Sequence, residues 1–266
     1  EARIRRFWAK DPQSKLRPLL LSKLYPYLKM MKGMNNHSLK MFFFYFLTGT
    51  DDPLYSHLLR WHNTSRIRSY FSDELNEKVK DYNPLQKLYP DLPEGFMKWG
   101  ELSRSQYLES TIFMSNYLLS SQGDRMAMGN SVEGRYPFLD YRIIEFTTRL
   151  PEKLRLNGLD EKYLLKKANK GRIPESILNR PKQAYRAPIA KSFFGEGAPG
   201  FVAEQFSGKA IREAGYFDEN RVEQLLGKVN SGKNISEVDQ MAIAGILSTQ
   251  LLHDKFIAGH MPDFTS

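Results

Sequence analysis

Two short segments concentrate charged side chains in patterns that could do chemistry. The first charged segment covers residues 124–140 and reads D-R-M-A-M-G-N-S-V-E-G-R-Y-P-F-L-D. Its candidate site residues, set among small and apolar neighbours, are Asp124, Arg125, Glu133 and Arg135. Charges buried in such surroundings must pair with one another. The residues alone predict either an ion-pair network that stabilises the following helix or the polar wall of an active site, and they leave both open.

The second charged segment covers residues 179–188 and reads N-R-P-K-Q-A-Y-R-A-P. Its two prolines stiffen a loop that carries Arg180, Lys182 and Arg186. Several cations on a rigid loop suit an anionic group such as a polyphosphate. A basic surface loop without a ligand is the alternative interpretation.

Other kinds of site find no support in the sequence. His57 and His62 are not spaced for one helical face and no HExxH pattern occurs, so we expect no metal site from this chain. No serine lies in a GxSxG elbow. Residues 227–234 nearly match a phosphate-binding loop, but Asn234 replaces its hydroxyl residue and a predicted helix precedes it instead of a strand. The sequence contains no cysteine, which excludes disulfides, thiolate metal sites and a cysteine nucleophile in this stretch.

Composition and charge narrow the class of protein. The 266 residues are 41% apolar and 26% charged, which is typical of a globular chain. No apolar run approaches the roughly 20 residues of a membrane span, and a reduced, cytoplasmic setting is the default interpretation. The net charge of +9 is concentrated in residues 1–32, with 9 basic and 2 acidic side chains, and in residues 151–191, with 11 and 4. These two basic islands predict localised contacts with anions, although solvated faces are the simpler interpretation for the first.

Helical periodicity dominates the elements that must position both segments. We predict helices over 101–122 (ended by Gly123), 141–150 (capped by Asp140), 160–170, 219–229 (capped by Asp218) and 238–257 (with a capping box of Ser236 and Asp239). In the second of these, Ile143, Ile144, Phe146 and Leu150 are expected to face inward. Residues 42–47 are ambiguous between a buried strand and a helix. A membrane-surface helix is one alternative, since Lys29, Lys32 and Lys40 lie nearby, but the burial preferences of Phe and Leu favour a buried helix. We treat residues 1–266 as one domain, with a weak candidate for an internal boundary near residues 75–100.

Both charged segments resemble motifs of the glutamine-hydrolysing asparagine synthetases. The first is similar to the family's DRMxMxxSxExRxPFLD signature, and the second is similar to its RPKQ loop. Between them, residues 150–154 and 162–166 follow the LPxxLK and KxLLR patterns, and residues 173–178 follow the PExI step. The continuous resemblance covers residues 101–190. Several linked motifs in the right order are far more specific than any single one.

The sequence also departs from the family's pattern. Gly129 and Gly134 stand where the family usually has Ala or Ser, and Ala184 stands where it often has Gly. The family's SGGxDS pyrophosphatase loop and its acidic metal-binding loop do not occur here. The resemblance therefore implies that this chain is mainly α. It would be the helical carboxy-terminal portion of a synthetase domain with an α/β adenine-nucleotide α-hydrolase-like (PP-loop) fold, and the sheet of that domain would lie largely outside this chain. We expect this chain alone to be inactive.

The resemblance implies an ATP-dependent ligase that converts aspartate to asparagine through β-aspartyl-AMP, with ammonia from an amino-terminal glutaminase domain. It makes Lys182 the catalytic residue, Arg180 and Arg186 the candidates for polyphosphate contact, and the four charged residues of the first segment the substrate wall. Mg²⁺ would accompany ATP, with its ligands upstream of this chain. Expected partners are ATP, aspartate, ammonia and the amino-terminal half of the same protein, and a homodimer stays open.

Two alternatives remain at this point. A relative on the same scaffold would amidate or cyclise another carboxylate, as β-lactam-forming members do. A protein of a different class, a basic helical module, would bind nucleic acid with an affinity that falls steeply as salt rises. Neither basic island has aromatic residues placed between its cations for base stacking, so nucleic acid is the least expected of these partners.

Overall fold

A computed structural model describes residues 1–24, 35–43, 47–180, 188–232 and 235–259, leaving aside the side chains of Asn36, Lys40, Phe42 and Phe43. The described chain divides into two compact units. Unit 1 comprises residues 1–59 and 89–184, and unit 2 comprises residues 60–88 and 185–266. The domain boundary near residues 75–100 stays a prediction.

α-Helices account for most of the described elements. In chain order they are α1 (Ala2–Lys10), α2 (Leu16–Leu24), α3 (Asn36–Phe43), α4 (Tyr55–Ser65), α5 (Asp73–Lys78), α6 (Pro84–Leu88), α7 (Glu101–Leu108), α8 (Arg125–Gly129), α9 (Tyr141–Arg149) and α10 (Glu152–Arg155). After the strands β1 (Leu156–Asn157) and β2 (Asp160–Glu161) come α11 (Tyr163–Ala168), α12 (Glu175–Leu178), α13 (Ile189–Phe194), α14 (Gly200–Gln205), α15 (Gly208–Ala214), α16 (Glu219–Asn230) and α17 (Glu237–Phe256). A π-helix (Glu109–Asp124) and three 3-10 turns (Arg66–Tyr70, Phe96–Lys98, Pro137–Leu139) complete them.

Strands β1 and β2 form the only sheet within the described ranges, an antiparallel hairpin, so the mainly helical prediction is confirmed. The helix predicted over 160–170 was wrong at its start, because Asp160 and Glu161 form β2 and α11 begins at Tyr163. Gly158 makes the turn between the strands at φ 63°, a conformation that glycine adopts at little steric cost. Of the helix predicted over 42–47, α3 includes Phe42 and Phe43, and residues 44–46 lie outside the described residues.

No helix in the described part of the chain combines the length and apolar character needed to cross a membrane.

Unit 2 is organised around α17, whose apolar residues are buried between Ala242 and Leu247, while Leu252 and Phe256 near its end are exposed. Ala242, Ile243 and Ile246 are 0% exposed. The buried residues that pack with them from neighbouring helices are Val202, Phe206, Ile211, Val222 and Leu225. The predicted helix starts are also confirmed, since Asp218 accepts a hydrogen bond from the Arg221 backbone N–H at 2.9 Å, and Ser236 and Asp239 form a capping box.

A buried hydrogen bond joins the start of α17 to the 3-10 turn at Tyr70. The Tyr70 hydroxyl donates to Asp239 Oδ1 at 2.7 Å, and Lys228 Nζ lies 3.3 Å from the same oxygen. Burial raises the pKa of Tyr70 and its hydrogen bond to Asp239 raises it further, so the phenol remains a donor. Burial also raises the pKa of Asp239, but hydrogen bonds from Tyr70, Ser236 and Lys228 outweigh that effect and lower it. Asp239 is therefore an ionised acceptor shared by elements distant in sequence.

Unit 1 buries part of its first helix. Trp8, Leu21 and Leu39 form a small apolar core with Leu59. Arg5 is 0% exposed, lies 4.5 Å from the centre of the Tyr55 ring and is 3.0 Å from a Glu1 carboxylate oxygen. The first basic island is therefore not simply a solvated face, because one of its arginines is a paired core residue.

A continuous helical run leads into the first charged segment. The helix α7 passes without a break into the π-helix and then into α8, so the predicted helix end at Gly123 was wrong. Glycine ends a helix when it adopts a positive φ, and Gly123 does not. Within the π-helix, side-chain hydroxyls donate back to carbonyls one turn earlier, from Thr111 to Tyr107, Ser115 to Thr111 and Ser120 to Asn116. These hydrogen bonds satisfy the hydroxyls within the helix itself, between Tyr107 and Ser120.

The N-terminus of α7 is capped by a side chain from α10. Gly100 at the N-cap position offers no side chain, and Glu152 Oε1 accepts a hydrogen bond from the Leu102 backbone N–H at 3.0 Å. A Cβ at Gly100 would overlap that oxygen, so glycine leaves room for the carboxylate. A negative charge at this end also interacts favourably with the helix dipole.

The change Glu152→Ala is expected to lower the free energy of unfolding by about 1 kcal/mol, because losing a helix cap costs roughly 0.5–2 kcal/mol. Glu152→Gln keeps an acceptor oxygen and should lose less. The measurement is thermal and urea unfolding of the purified protein. Glu94→Ala is the matched control, since Glu94 is exposed and its side chain makes no hydrogen bond or ion pair with the described residues. Equal losses for the two alanine variants would show that the carboxylate of Glu152 does not cap α7.

Candidate active site

The first charged segment begins where the long helical run ends. Asp124 is the last residue of the π-helix, Arg125 is the first of α8, and both are exposed. The helix then closes with a hydrogen bond from the Val132 N–H to the Ala127 carbonyl at 2.8 Å, while Ser131 adopts a left-handed φ of 57°. This is a Schellman arrangement with serine where glycine is usual. It ends α8 and leads the chain into Glu133–Arg135.

Glu133 and Arg135 form an ion pair at 2.7 Å, with 74% and 83% of their side chains exposed. Among the described residues, neither Asp124 nor Arg125 joins this pair. The burial expected for these four charges is not observed. Exposed ion pairs contribute only about 0–1 kcal/mol, so pairing alone gives little reason to regard them as a structural network. Their charges face solvent, where a ligand could reach them.

Helix α9 begins as predicted but presents its apolar face differently. Asp140 accepts a hydrogen bond from the Arg142 backbone N–H at 2.9 Å, and hydrogen bonds from Arg142 lower the pKa of this carboxyl. The predicted inward orientation was wrong, because Ile143, Ile144 and Phe146 are 41%, 43% and 58% exposed. An amphipathic pattern shows that a face is suited to burial, but not which element buries it.

Tyr136 was not selected from the sequence, yet its ring lies near both ends of the first charged segment, Gly123 at the end of the helical run and Gly134 in the following loop. A Cβ at Gly134 would lie 2.7 Å from Cζ of the Tyr136 ring, so the ring occupies the space beside that glycine. The Tyr136 hydroxyl also lies 3.6 Å from the Cβ position of Gly123. The departure at Gly134 from the family's usual Ala or Ser is the sequence signal that could have identified it.

The second charged segment is described only at its start. Leu178 is buried at the end of α12, and Arg180 is exposed two residues later. Lys182 and Arg186 lie outside the described residues, so their roles stay predictions. In the preceding part of the second basic island, Lys162, Lys167 and Lys170 are exposed.

Metal-binding side chains do not gather in the described ranges, where no group of three or more His, Cys, Asp or Glu residues could hold an ion. Among the described residues, the carboxylates of the first charged segment therefore do not fit a Mg²⁺ site by themselves. We assign no chemical step in this chain to a metal.

Comparison with known proteins identifies the family. The family model described as asparagine synthase matches residues 13–254. The chain therefore belongs to the asparagine synthase family, which confirms the resemblance carried by the motifs.

The curated relatives match shorter stretches. The chain is 33% identical over 115 residues to asparagine synthetase [glutamine-hydrolyzing] 1 of Bacillus subtilis (strain 168), covering 42% of this chain and 18% of that protein. It is 40% identical over 79 residues to asparagine synthetase [glutamine-hydrolyzing] 3 of the same organism, covering 30% and 12%. It is 32% identical over 138 residues to amidase chyE of Penicillium rubens, covering 49% and 20%. These matches span a fifth or less of each relative. No solved structure gives a significant match.

Proposed function

We propose that this chain is the carboxy-terminal part of the synthetase domain of an ATP-dependent ligase that forms asparagine from aspartate. The observation that carries the proposal is the ordered set of motifs over 101–190, inside a family match over 13–254. The proposed domain is an α/β PP-loop fold whose sheet lies largely outside this chain. The names of the Bacillus relatives state that they hydrolyse glutamine, which supports an amino-terminal glutaminase domain as the source of ammonia. The proposed location is the cytoplasm, and a homodimer is compatible with the proposal.

The proposed reaction has two steps. A side-chain carboxylate oxygen of aspartate attacks the α-phosphorus of ATP, a new O–P bond forms, and the bond to pyrophosphate breaks. Ammonia then attacks the acyl carbon of β-aspartyl-AMP, the C–N bond forms, AMP leaves with the electron pair of the C–O bond, and the nitrogen loses a proton. The first step brings two anions together, so fixed cations in the site lower its barrier.

The residues of this chain are proposed to bind and orient the reactants. Lys182 would place its ammonium against the negative charge that grows on the α-phosphate and the leaving pyrophosphate. Arg180 and Arg186 would contact the polyphosphate from the same loop. The first charged segment would line the substrate end, a role supported by the exposure of Asp124, Arg125 and the Glu133–Arg135 pair. Mg²⁺ would arrive with ATP and be held by residues upstream of this chain.

A second candidate function is amidation or cyclisation of another carboxylate on the same scaffold. The match to amidase chyE favours keeping it, because that relative covers nearly half of this chain under a different name. The same adenylation step would precede amide formation in both cases. The two functions differ in the acid that is activated and, for cyclisation, in the nucleophile, which is then an amine of the same molecule instead of ammonia.

The full-length protein is the preparation that tests the proposal. Incubated with ATP, Mg²⁺, aspartate and either ammonia or glutamine, it is expected to release pyrophosphate and form asparagine. Residues 1–266 alone are expected to release no pyrophosphate above background, because they lack the SGGxDS loop. A panel of other carboxylic acids separates the two candidates. Pyrophosphate release with none of these acids would refute both, and turnover by residues 1–266 would refute the assignment of a partial synthetase domain.

A further inference from the structure

Helix α9 carries an apolar face that the described part of unit 1 leaves open. Ile143 and Phe146 lie three residues apart on one side of the helix, and together with Pro137 they line an open groove of about 290 Å³. We propose that this groove is a docking surface and that its occupant is the amino-terminal half of the same protein. The inference rests on the proposed function, which places the sheet of the synthetase domain in that half.

The stretch of chain that contains the groove has no core of its own. Residues 109–177 are all described and none of them is buried, although Leu108 and Leu178 on either side are 1% and 7% exposed. Within this stretch, Met128 is 76% and Phe138 is 67% exposed. Ordering a chain costs conformational entropy, and the burial of apolar side chains is the main effect that offsets this cost. A stretch of this length without a buried side chain therefore has to fold against a partner.

Helix α9 is also too short to be stable by itself. It has nine residues, and isolated helices of fewer than about 12–15 residues are marginal in water. The ion pair between Glu145 and Arg149 is exposed, and such pairs contribute little stability. In proteins, most of the stability of a helix comes from the packing of its apolar face. A partner that covers Ile143 and Phe146 would supply this packing.

The charges of the groove indicate that this partner is apolar. The two charged residues that line it are Asp140 and Arg142, and they pair with each other at 2.6 Å. Each charge therefore already has its counter-ion within α9 and its N-cap. The other lining residues are Pro137, Ile143 and Phe146. Apolar side chains are the ones that complement such a surface.

The amino-terminal half is favoured over a second copy as this partner. The 115 residues that match asparagine synthetase [glutamine-hydrolyzing] 1 of Bacillus subtilis are 18% of that relative, so most of a protein of that length lies outside the matched part. A segment joined through the backbone is present at a high effective concentration, whereas a second copy has to be bound from solution. Parallel sheets also need helices on both faces. An uncovered helix face in this chain and a sheet upstream of it are therefore complementary.

The first test is hydroxyl-radical footprinting of the full-length protein, read at Phe146 by mass spectrometry. Phe146 is 58% exposed in this chain, and the same residue in a proteolytic digest gives the rate for full exposure. Relative to its own digest, Phe146 is expected to be protected as strongly as the core residue Phe206, which is 4% exposed. A rate near half of the digest value, as for an uncovered side chain, would overturn the inference.

The second test identifies the occupant by photo-cross-linking. Tyr141→Cys, at the first position of α9, is labelled with a thiol-reactive benzophenone in the full-length protein, and peptide mapping assigns each cross-link to its cysteine. We expect a cross-link within one chain to a peptide upstream of residue 1, with a yield that does not depend on protein concentration. Tyr82→Cys, an exposed position in unit 2, is the matched control and should not give that peptide. Cross-links between two chains, or only to residues 1–266, would overturn the inference.

The third test compares two new charges on the same helix. Thr148 is exposed and lies two residues from Phe146, on the opposite side of α9. In the full-length protein, Phe146→Asp is expected to lower the Tm by several degrees because it buries an unpaired charge, whereas Thr148→Asp should change the Tm little. Phe146→Leu keeps an apolar side chain and should lose less than Phe146→Asp. Equal Tm values for the two aspartate variants would contradict docking at this face, and the footprint of the wild type decides the matter if Phe146→Asp does not fold.

Failure of this inference is distinguishable from failure of the proposed function. A wild-type protein that releases pyrophosphate while Phe146 is unprotected keeps the proposed function and refutes the docking surface. A wild-type protein that releases none with any acid refutes the proposed function. In that case, protection of Phe146 and cross-links to the upstream segment still support the docking surface, because neither readout requires activity.

Discussion

Lys182→Ala in the full-length protein is expected to lower kcat for pyrophosphate release by about 100- to 1,000-fold, the usual cost of removing one preorganised group at a developing negative charge. The KM for ATP should change far less. A lysine directed at charge that grows during attack on phosphorus contributes little to the ground state, so its loss is seen in kcat. The measurement is the rate of pyrophosphate release over a range of ATP concentrations.

Two comparisons sharpen the test of Lys182. Lys182→Arg should not restore the rate fully, because a planar guanidinium does not replace a compact ammonium on a stiff loop. Lys170→Ala removes an exposed lysine of the same basic island and should leave kcat unchanged. The glutaminase rate, which belongs to a separate proposed domain, should survive in every variant. A loss of less than about threefold for Lys182→Ala, under 1 kcal/mol of barrier, would show that this lysine does not act in the reaction.

Asp239→Ala is expected to destabilise unit 2 by about 2–4 kcal/mol. It removes the acceptor of the α17 capping box, worth roughly 0.5–2 kcal/mol, and leaves the Tyr70 hydroxyl buried without its partner, which costs about 1–3 kcal/mol. The measurement is urea unfolding, monitored with a spectroscopic probe placed in unit 2. Glu196→Ala is the control, because Glu196 is exposed and its side chain makes no hydrogen bond or ion pair with the described residues, and it should stay within about 0.5 kcal/mol of wild type.

A second change identifies the cause of that loss. Adding Tyr70→Phe to Asp239→Ala should recover part of the stability, because it removes the unpaired hydroxyl. In wild type the same change should be destabilising, since it leaves Asp239 with one donor fewer. Identical effects of Tyr70→Phe in both backgrounds would mean that the 2.7 Å hydrogen bond carries no coupling energy.

The pH dependence of stability follows from the same carboxyl. The pKa of Asp239 is lowered in the folded chain, so its contribution is present above the ordinary aspartate pKa near 3.9 and is lost as pH falls through the folded value. Wild type should therefore lose more stability than Asp239→Ala as pH falls below about 4. If the free energy of unfolding fell equally with pH in the two proteins, Asp239 would not be the carboxyl responsible.

The helix starts could be predicted because capping is local. Asp140, Asp218 and Ser236 each hydrogen-bond a backbone N–H two or three residues later, so the sequence contains both partners. The cap of α7 could not be found in this way. Glu152 is 50 residues from the N–H it binds, and only the folded chain brings them together.

Burial was predicted poorly for the first charged segment and α9. In α17, apolar residues lie on most sides of the helix, and unit 2 buries those between Ala242 and Leu247 but leaves Leu252 and Phe256 exposed. The apolar face of α9 needs a particular neighbour, and Ile143 and Phe146 remain 41% and 58% exposed. The charges of the first segment were expected to be buried because small residues surround them, yet the Glu133–Arg135 pair is exposed.

The sequence by itself determined the family, the helical class, the order of the motifs and the residue types of the proposed site. These depend on residue identity and on spacing over a few positions, which the chain carries whatever its fold. The tertiary structure alone decided that Arg5 is a core residue, that Tyr70 and Asp239 share a buried hydrogen bond, and that Tyr136 lies beside Gly134. Each of these depends on where a side chain is placed in space, which follows from packing and backbone geometry and cannot be read from local patterns.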